Sequence, residues 1–230
     1  MVYLTGDTHR NFARIQHFCK EFQSSTDDVL VILGDAGINY HGAAADRYLK
    51  QQLTELPITL LCIHGNHEQR PETIDTYKEI EWRGGAVYQE PEFPNLLFAK
   101  DGDIYELNGN RCIAVGGAYS VDKHYRLQLG HKWWPDEQPS ERTKCRVEVR
   151  LDMVGWRVDA VLAHTCPMKY VPLEAFLPGI DQSAVDNSTE EWLEDVENRL
   201  NYDRWYCGHF HIDKSDGKVR FLFEDIIELR

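Results

Sequence analysis

Val2-Tyr3-Leu4-Thr5-Gly6-Asp7-Thr8-His9 begins a stretch in which one pattern occurs three times, an apolar run followed at once by glycine and polar groups. It returns as Val29-Leu30-Val31-Ile32-Leu33-Gly34-Asp35-Ala36-Gly37, and again as Ile58 to His64 followed by Gly65-Asn66-His67-Glu68. Between these runs, Phe12 to Phe22 and Ala43 to Leu56 carry helical patterns. Apolar runs of strand length alternating with helices read as βαβαβ and a parallel sheet. Ligands of open α/β sheets bind beyond the carboxyl ends of the strands, so the three glycine-containing motifs mark a candidate site.

Outward from this third of the chain the pattern loosens. Residues Pro71 to Pro94 read as an irregular connecting lobe, with a weak helix over Thr73 to Ile80 and a turn at Trp82-Arg83-Gly84-Gly85. Asn108-Gly109, between the alternating runs Asp103 to Leu107 and Arg111 to Val115, predicts a hairpin with a type I′ turn. Tyr119 to Pro139 is rich in Tyr, Trp, His and Lys without a clean period, the character of a loop that shapes access to a site. A charged helix is expected over Ser140 to Met153, then a strand over Val158 to Ala163 that ends in His164-Thr165-Cys166-Pro167. Asn187 or Ser188 reads as the cap of a helix reaching about Leu200. Arg204 to Cys207 leads into Gly208-His209-Phe210-His211, and Lys218 to Leu229 reads as a closing hairpin. We therefore expect one domain over 1–230, with insertions at about 71–94 and 119–153.

The bulk numbers narrow the function classes. With 42% hydrophobic and 27% charged residues, the 230-residue chain has enough apolar material for one core and no mark of disorder. A formal charge of −13 repels nucleic acid and anionic membranes at long range, so an extended nucleic-acid footprint is disfavoured. Part of that charge is neutralised if some carboxylates hold cations, which then attract phosphate locally. The six cysteines form no CxxC pair and several lie in strand-like apolar runs, as structural thiols of a reducing compartment do. No basic leader precedes the first strand and no segment approaches membrane-spanning length, so the expected location is the cytoplasm.

Asp7 and His9 are two residues apart at a strand end; in extended conformation both side chains project to one side, and one ion could take both. His209 and His211 repeat that spacing. Asn66 and His67 are adjacent and point apart, so one is free to bind a metal while the other faces a substrate. Asp35 ends a central strand with two oxygens, enough to bridge two ions, and His164 adds an imidazole at another strand end. A mixed oxygen and nitrogen set without thiolate suits Mn, Fe, Zn, Ni or Co better than an all-oxygen Ca or Mg site or a Cys-rich structural zinc site. A lone Gly-Asp is usually a turn and a lone His-Thr-Cys-Pro usually a satisfied histidine. Five such motifs in order, each at a strand terminus, are hard to explain as turns.

The ordered set Gly6-Asp7-Thr8-His9, Gly34-Asp35, Gly65-Asn66-His67-Glu68, His164 and Gly208-His209-Phe210-His211 resembles the calcineurin-like metallophosphoesterase superfamily. The resemblance spans nearly all of the chain and implies a four-layer α/β/β/α sandwich of mixed sheets with a dinuclear metal site at the strand ends. It implies Asp7, His9 and His211 on one ion, Asn66, His164 and His209 on the other, and Asp35 between them. His67 would stand over the scissile phosphate as proton donor or transition-state stabiliser. The implied activity is hydrolysis of phosphate mono- or diesters by attack of a bridging hydroxide, with two divalent or trivalent ions, Mn, Fe, Zn or Ni, as cofactors.

Two positions depart from the family pattern. The second motif commonly runs GDxxD, whereas this chain has Ile38 and then Asn39, so the carboxylate that orients the catalytic imidazole is missing; Asn39 and Glu68 are candidates to replace it. Arg10 stands where the first motif often has Gly, and it is a candidate phosphate contact or else a solvated helix-start residue. A phosphorylated small molecule or nucleotide is the expected partner. Glu68 in GNHE also resembles the phosphoprotein phosphatases, although their Asp-Arg-Gly is absent, and a metal-binding scaffold without activity is the remaining alternative.

Overall fold

A computed structural model describes residues 1–176 and 184–230. The first third folds as its periodicity predicts. Strands β1 (Val2–Thr5), β2 (Val29–Ile32) and β3 (Thr59–Cys62) pair in parallel, with helices α1 (Ala13–Phe22) and α2 (Ala43–Thr54) as crossovers. β2 is buried along its whole length, which is why its sequence is a continuous apolar run.

Alternation along these strands assembles the layers. Val29, Val31 and Leu33 face one apolar core, whereas Leu30 and Ile32 face another that holds Ile15, Phe18 and Cys19 of α1. The first of these cores also contains Cys112, Ala114, Ala160, Leu162 and Tyr206 from a second sheet. That sheet comprises β7 (Ile104–Leu107), β8 (Asn110–Val115), β9 (Ala160–Ala163), β10 (Arg204–Cys207), β11 (Lys214–Asp216) and β12 (Val219–Phe221). Its other face, through Ile113, Val115, Val161 and Trp205, packs on Val147 and Leu151 of α4 (Glu141–Met153) and on Leu193 and Val196 of α5 (Ser188–Arg199). The layers are thus helices, sheet, sheet, helices, the expected α/β/β/α sandwich.

Both sheets are mixed. The first runs β13 (Ile226–Glu228), β1, β2, β3, β6 (Leu96–Ala99), β5 (Gly85–Gln89), β4 (Lys78–Trp82), with β13, β5 and β4 antiparallel to their neighbours. The second runs β11, β12, β10, β9, β8, β7, with a parallel centre.

Three local expectations are corrected. The stretch expected to contain a weak helix over Thr73 to Ile80 instead builds the β4–β5 hairpin at a sheet edge, where Lys78, Glu79 and Glu81 break the apolar pattern as edge strands require. Lys218 to Leu229 is not one hairpin: β12 stays in the second sheet and β13 crosses to pair with β1. At the start of α5 the Ser188 amide donates to the Asp186 carboxylate at 3.0 Å, and Asn187 makes no side-chain cap. The β7–β8 hairpin turns as expected, with Asn108 and Gly109 at φ +52° and +81°. Ser140 caps α4 by accepting from the Thr143 amide. No helix among the described residues is long and apolar enough to cross a membrane.

Candidate metal centre

Backbone contacts among the first three motifs draw their loops together at the carboxyl ends of β1, β2 and β3. The Thr8 and His9 amides donate to the Asp35 carbonyl, the Arg10 amide to that of Ala36, and the His67 amide to Asp35 Oδ1 at 2.7 Å. Arg14 locks the end of β1 by donating to the carbonyls of Gly6 and Asp7. The packing leaves no room for side chains at the motif glycines Gly6, Gly34, Gly65 and Gly208. A Cβ on Gly65 would lie 2.0 Å from Asp35 Oδ1, and one on Gly208 2.2 Å from Asp7 Oδ1.

Asp7, His9, Asp35, Asn66, His67, His164, His209 and His211 converge, although they come from five separate motifs. On one side, His9 Nε2 and His211 Nε2 face each other at 2.9 Å, and Asp7 Oδ2 lies 3.2 Å from the latter and 3.7 Å from the former. On the other, His164 Nε2 stands 2.7 Å from Asn66 Oδ1, with the His209 ring 4.9 Å from that of His164 between centroids. Asp35 Oδ2 lies between the halves, 4.0 Å from His9 Nε2 and 3.7 Å from His164 Nε2.

Extended alternation does not bring these pairs together, contrary to the spacing argument. His9, His209 and His211 have φ values of +43°, +65° and +52°, and Asp35 has +48°. Left-handed backbone at non-glycine residues is costly and survives where surrounding contacts impose it. The turns also divide His209 from His211: the first stands beside His164, the second against Asp7 and His9.

The protonation chemistry prepares these groups for a cation. Burial pushes the His209 imidazole down to about 3, with the neighbouring His164 acting in the same direction, so the ring is neutral and carries a lone pair. Burial by itself raises the Asp7 carboxyl, but the His211 hydrogen bond and the adjacent imidazoles outweigh it and hold the group well below the usual carboxylate range. His164 gives its Nδ1–H to the Leu33 carbonyl at 2.9 Å, which leaves a lone pair on Nε2 facing the amide oxygen of Asn66. Two lone-pair atoms 2.7 Å apart repel unless a cation takes both or the amide turns over. Candidate ligand atoms lie within 4.8 Å of one another in three sets: Asp7, His9 and His211; Asp7, Asp35 and His164; and His9, Asp35 and His67. Imidazole nitrogen with carboxylate and amide oxygen fits first-row divalent ions.

Arg10 behaves differently from the phosphate contact considered for it. Its guanidinium donates to the Gly37 carbonyl at 2.6 Å and to Asp46 Oδ1 at 2.7 Å, and it does not line the cavity beside the cluster. Neither candidate replacement for the missing carboxylate reaches His67: Asn39 Oδ1 accepts from the Tyr77 hydroxyl, and Glu68 accepts from the amides of Gly37 and Gly65. Burial, reinforced by Asp35, pushes Glu68 up to about 8. His64 is buried, neither ring nitrogen has a hydrogen-bond partner among the described residues, and burial lowers its basicity well below normal.

The cavity over the cluster has a volume of about 480 Å³ and a mixed lining: imidazoles and carboxylates, together with Val121, Val171, Phe176, Val185 and Phe210. Trp133 and Trp134 do not line it; Trp133 donates to Glu137 and Trp134 stacks edge-on with Tyr40, which agrees with packing roles. A larger depression of about 870 Å³, among Arg47, Lys50 and Glu90, contains none of the candidate ligands. Two contacts were invisible in the sequence. Ser120 Oγ accepts from Asn66 Nδ2 at 2.8 Å, and Asp122 Oδ1 stands 3.6 Å from His67 Nε2. The aromatic, aperiodic composition of 119–139 was the only signal for either.

Among solved structures, TT1561 of Thermus thermophilus aligns over 96% of this chain and 87% of its own, with TM-score 0.52 and 11% identity, a likeness of fold. A protein of unknown function, AQ665 from Aquifex aeolicus, aligns over 72% of this chain and 80% of its own at 17% identity, with TM-score 0.33. No curated protein matches the chain. The family model described as calcineurin-like phosphoesterase matches residues 1–213, a span that includes every strand-end motif, and the chain belongs to that family.

Proposed function

We propose that this chain is a dinuclear-metal-dependent phosphoesterase acting on a phosphorylated small molecule or nucleotide, as a mono- or diesterase. The carrying observation is the division of the cluster around one oxygen, Asp35 Oδ2, with Asp7, His9 and His211 on one side and Asn66, His164 and His209 on the other. We assign the first three to one ion, the second three to the other, and Asp35 to both. Mn, Fe, Zn and Ni suit this donor set. When bound, such a pair lowers the pKa of water and neutralises charge on phosphate oxygens.

The remaining work falls to the chain. Asp35 also accepts the His67 amide, so the residue that bridges the halves sets the backbone position of the proton donor. His67 delivers a proton to the leaving oxygen, a role that contributes about 10²- to 10⁴-fold. The apolar side chains of the lining exclude water from the leaving group and suit an organic alcohol. No Lys or Arg is among the described residues lining the cavity, which supports a substrate whose charge sits on one phosphate rather than a polyanion. Glu68 is buried, accepts from the amides of Gly37 and Gly65 and does not line the cavity, and this weakens the case for a phosphoprotein phosphatase. Six free thiols, five of them buried, support a reducing location such as the cytoplasm.

The test uses chelated chain reloaded with Mn, Ni, Fe or Zn and assayed on bis-p-nitrophenyl phosphate, p-nitrophenyl phosphate, cyclic nucleotides and phosphopeptides. Asp35→Asn is expected to abolish turnover, and His67→Ala to reduce kcat about 10²-fold or more while elemental analysis still finds metal. Wild-type turnover by Asp35→Asn refutes the assignment; stoichiometric metal without hydrolysis of any substrate favours an inactive scaffold.

A further inference from the structure

A carboxylate does reach His67, from a part of the chain that none of the strand-end motifs includes. Asp122 Oδ1 lies 3.6 Å from His67 Nε2, and Arg126, one helical turn further on in α3 (Lys123–Gln128), puts Nη1 3.9 Å from that same oxygen. Each of these polar ends lacks a partner. Asp122 Oδ1, Arg126 Nη1 and Arg126 Nη2 are buried without a hydrogen bond among the described residues, and Arg126 is only 3% exposed. A buried guanidinium with unmade bonds is costly, and so is a buried carboxylate oxygen. The groups that satisfy each other are already neighbours; an approach of about 0.5–1 Å turns both gaps into hydrogen bonds.

We propose that Asp122 is the positioning residue of His67 and that Arg126 holds Asp122, in a chain Arg126–Asp122–His67 supplied by the loop that also walls the cavity. The inference rests on the reading of His67 as proton donor. The carboxylate accepts the Nε2–H of His67 and keeps the ring at a fixed angle, so that Nδ1 carries the proton to be transferred. As the bond from phosphorus to the leaving oxygen breaks, its electron pair stays on that oxygen. The Nδ1 proton passes to it, and the ring becomes neutral while still donating Nε2–H to Asp122. The position left vacant by Ile38 and Asn39 in the second motif is thereby filled from a different loop.

The test combines kinetics with a readout independent of turnover. On metal-loaded protein, Asp122→Asn is compared with wild type on matched phenyl and p-nitrophenyl esters, since only the more basic phenolate needs a proton in the transition state. The expected loss in kcat is at least about tenfold larger for the phenyl ester, with KM nearly unchanged and partial recovery in Asp122→Glu. The double variant Asp122→Asn/His67→Ala should be no worse than His67→Ala alone, because the two act as one unit. Equal losses on both esters, or additive losses in the double variant, overturn the proposal. Nitrogen-15 spectra of the His67 ring, assigned with His67→Gln in metal-free and zinc-loaded protein, supply the second measurement. A fixed Nε2–H tautomer in wild type that becomes mixed in Asp122→Asn supports positioning, and an unchanged spectrum overturns it. If His67→Ala loses no activity while the tautomer does respond to Asp122, the proton-donor reading fails and the positioning stands.

Discussion

Substituting Gly65 by Ala tests the claim that close packing of loops, rather than side-chain bonding alone, sets Asp35. The backbone of Gly65 is not left-handed, so an alanine there suffers from contact only. Its Cβ would lie 2.0 Å from Asp35 Oδ1, 2.2 Å from Asp35 N and 2.7 Å from Asp35 Cγ, and the middle atom is backbone that cannot swing aside. Overpacking of this kind costs about 1–3 kcal/mol. Displacing Asp35 also weakens the 2.7 Å bond from the His67 amide to its carboxylate, worth about 1.5–3 kcal/mol for a charged acceptor. Together these give about 2.5–6 kcal/mol, and for a chain of this size each kcal/mol is about 2–4 °C in Tm, so the expected drop is about 5–24 °C. Thermal unfolding of metal-free protein measures it, and elemental analysis after reconstitution measures the accompanying loss of metal. Gly130→Ala is the control: its Cβ meets nothing within 4 Å, it suffers only from φ +72°, and metal uptake should survive. A Gly65→Ala protein that melts within about 2 °C of wild type, the least that a single kcal/mol would produce, and binds metal at full stoichiometry would refute the reasoning.

Two further outcomes follow from the described surroundings of particular groups. Burial raises the Glu137 carboxyl, which accepts from the Ser120 amide and the Trp133 indole, so the native state binds more protons than the unfolded chain above the ordinary carboxyl pKa. Its contribution is therefore complete below that pKa and lost as pH rises through the raised value. Urea unfolding followed from the ordinary carboxyl pKa upward should show wild type losing stability relative to Glu137→Gln as pH increases; parallel curves would contradict this. Of the six thiols only Cys145 is exposed, so a thiol reagent should label one equivalent rapidly in native protein and six after unfolding. Rapid labelling of two or more would show that the buried thiols are accessible.

The parallel arrangement of β1, β2 and β3 was legible because an apolar run of strand length is a local property, whereas the four layers were implied by the family resemblance. Val31 and Ile32 are neighbours in sequence and belong to different cores, and no distant residue has to be known to see that both sides of that strand are apolar. The expectation for 73–80 failed for the converse reason. An edge strand such as Lys78–Trp82 buries little, carries charge, and has no pattern strong enough to distinguish it from a frayed helix.

The cluster of Asp7, His9, Asp35, Asn66, His67, His164, His209 and His211 was likewise legible, because each member follows a strand and parallel strands deliver their carboxyl ends to one edge. This inventory and its place on the fold could be read from the residues alone. Tertiary structure decided the orientation of each group. Left-handed turns separated His209 from His211, Asp46 and the Gly37 carbonyl took Arg10 away from the cavity, and a loop more than fifty residues distant brought Ser120 and Asp122 to Asn66 and His67. Periodicity records which face a segment buries against its own neighbours; it carries no record of which distant loop closes over that face, since that contact depends on the packing of both sheets at once.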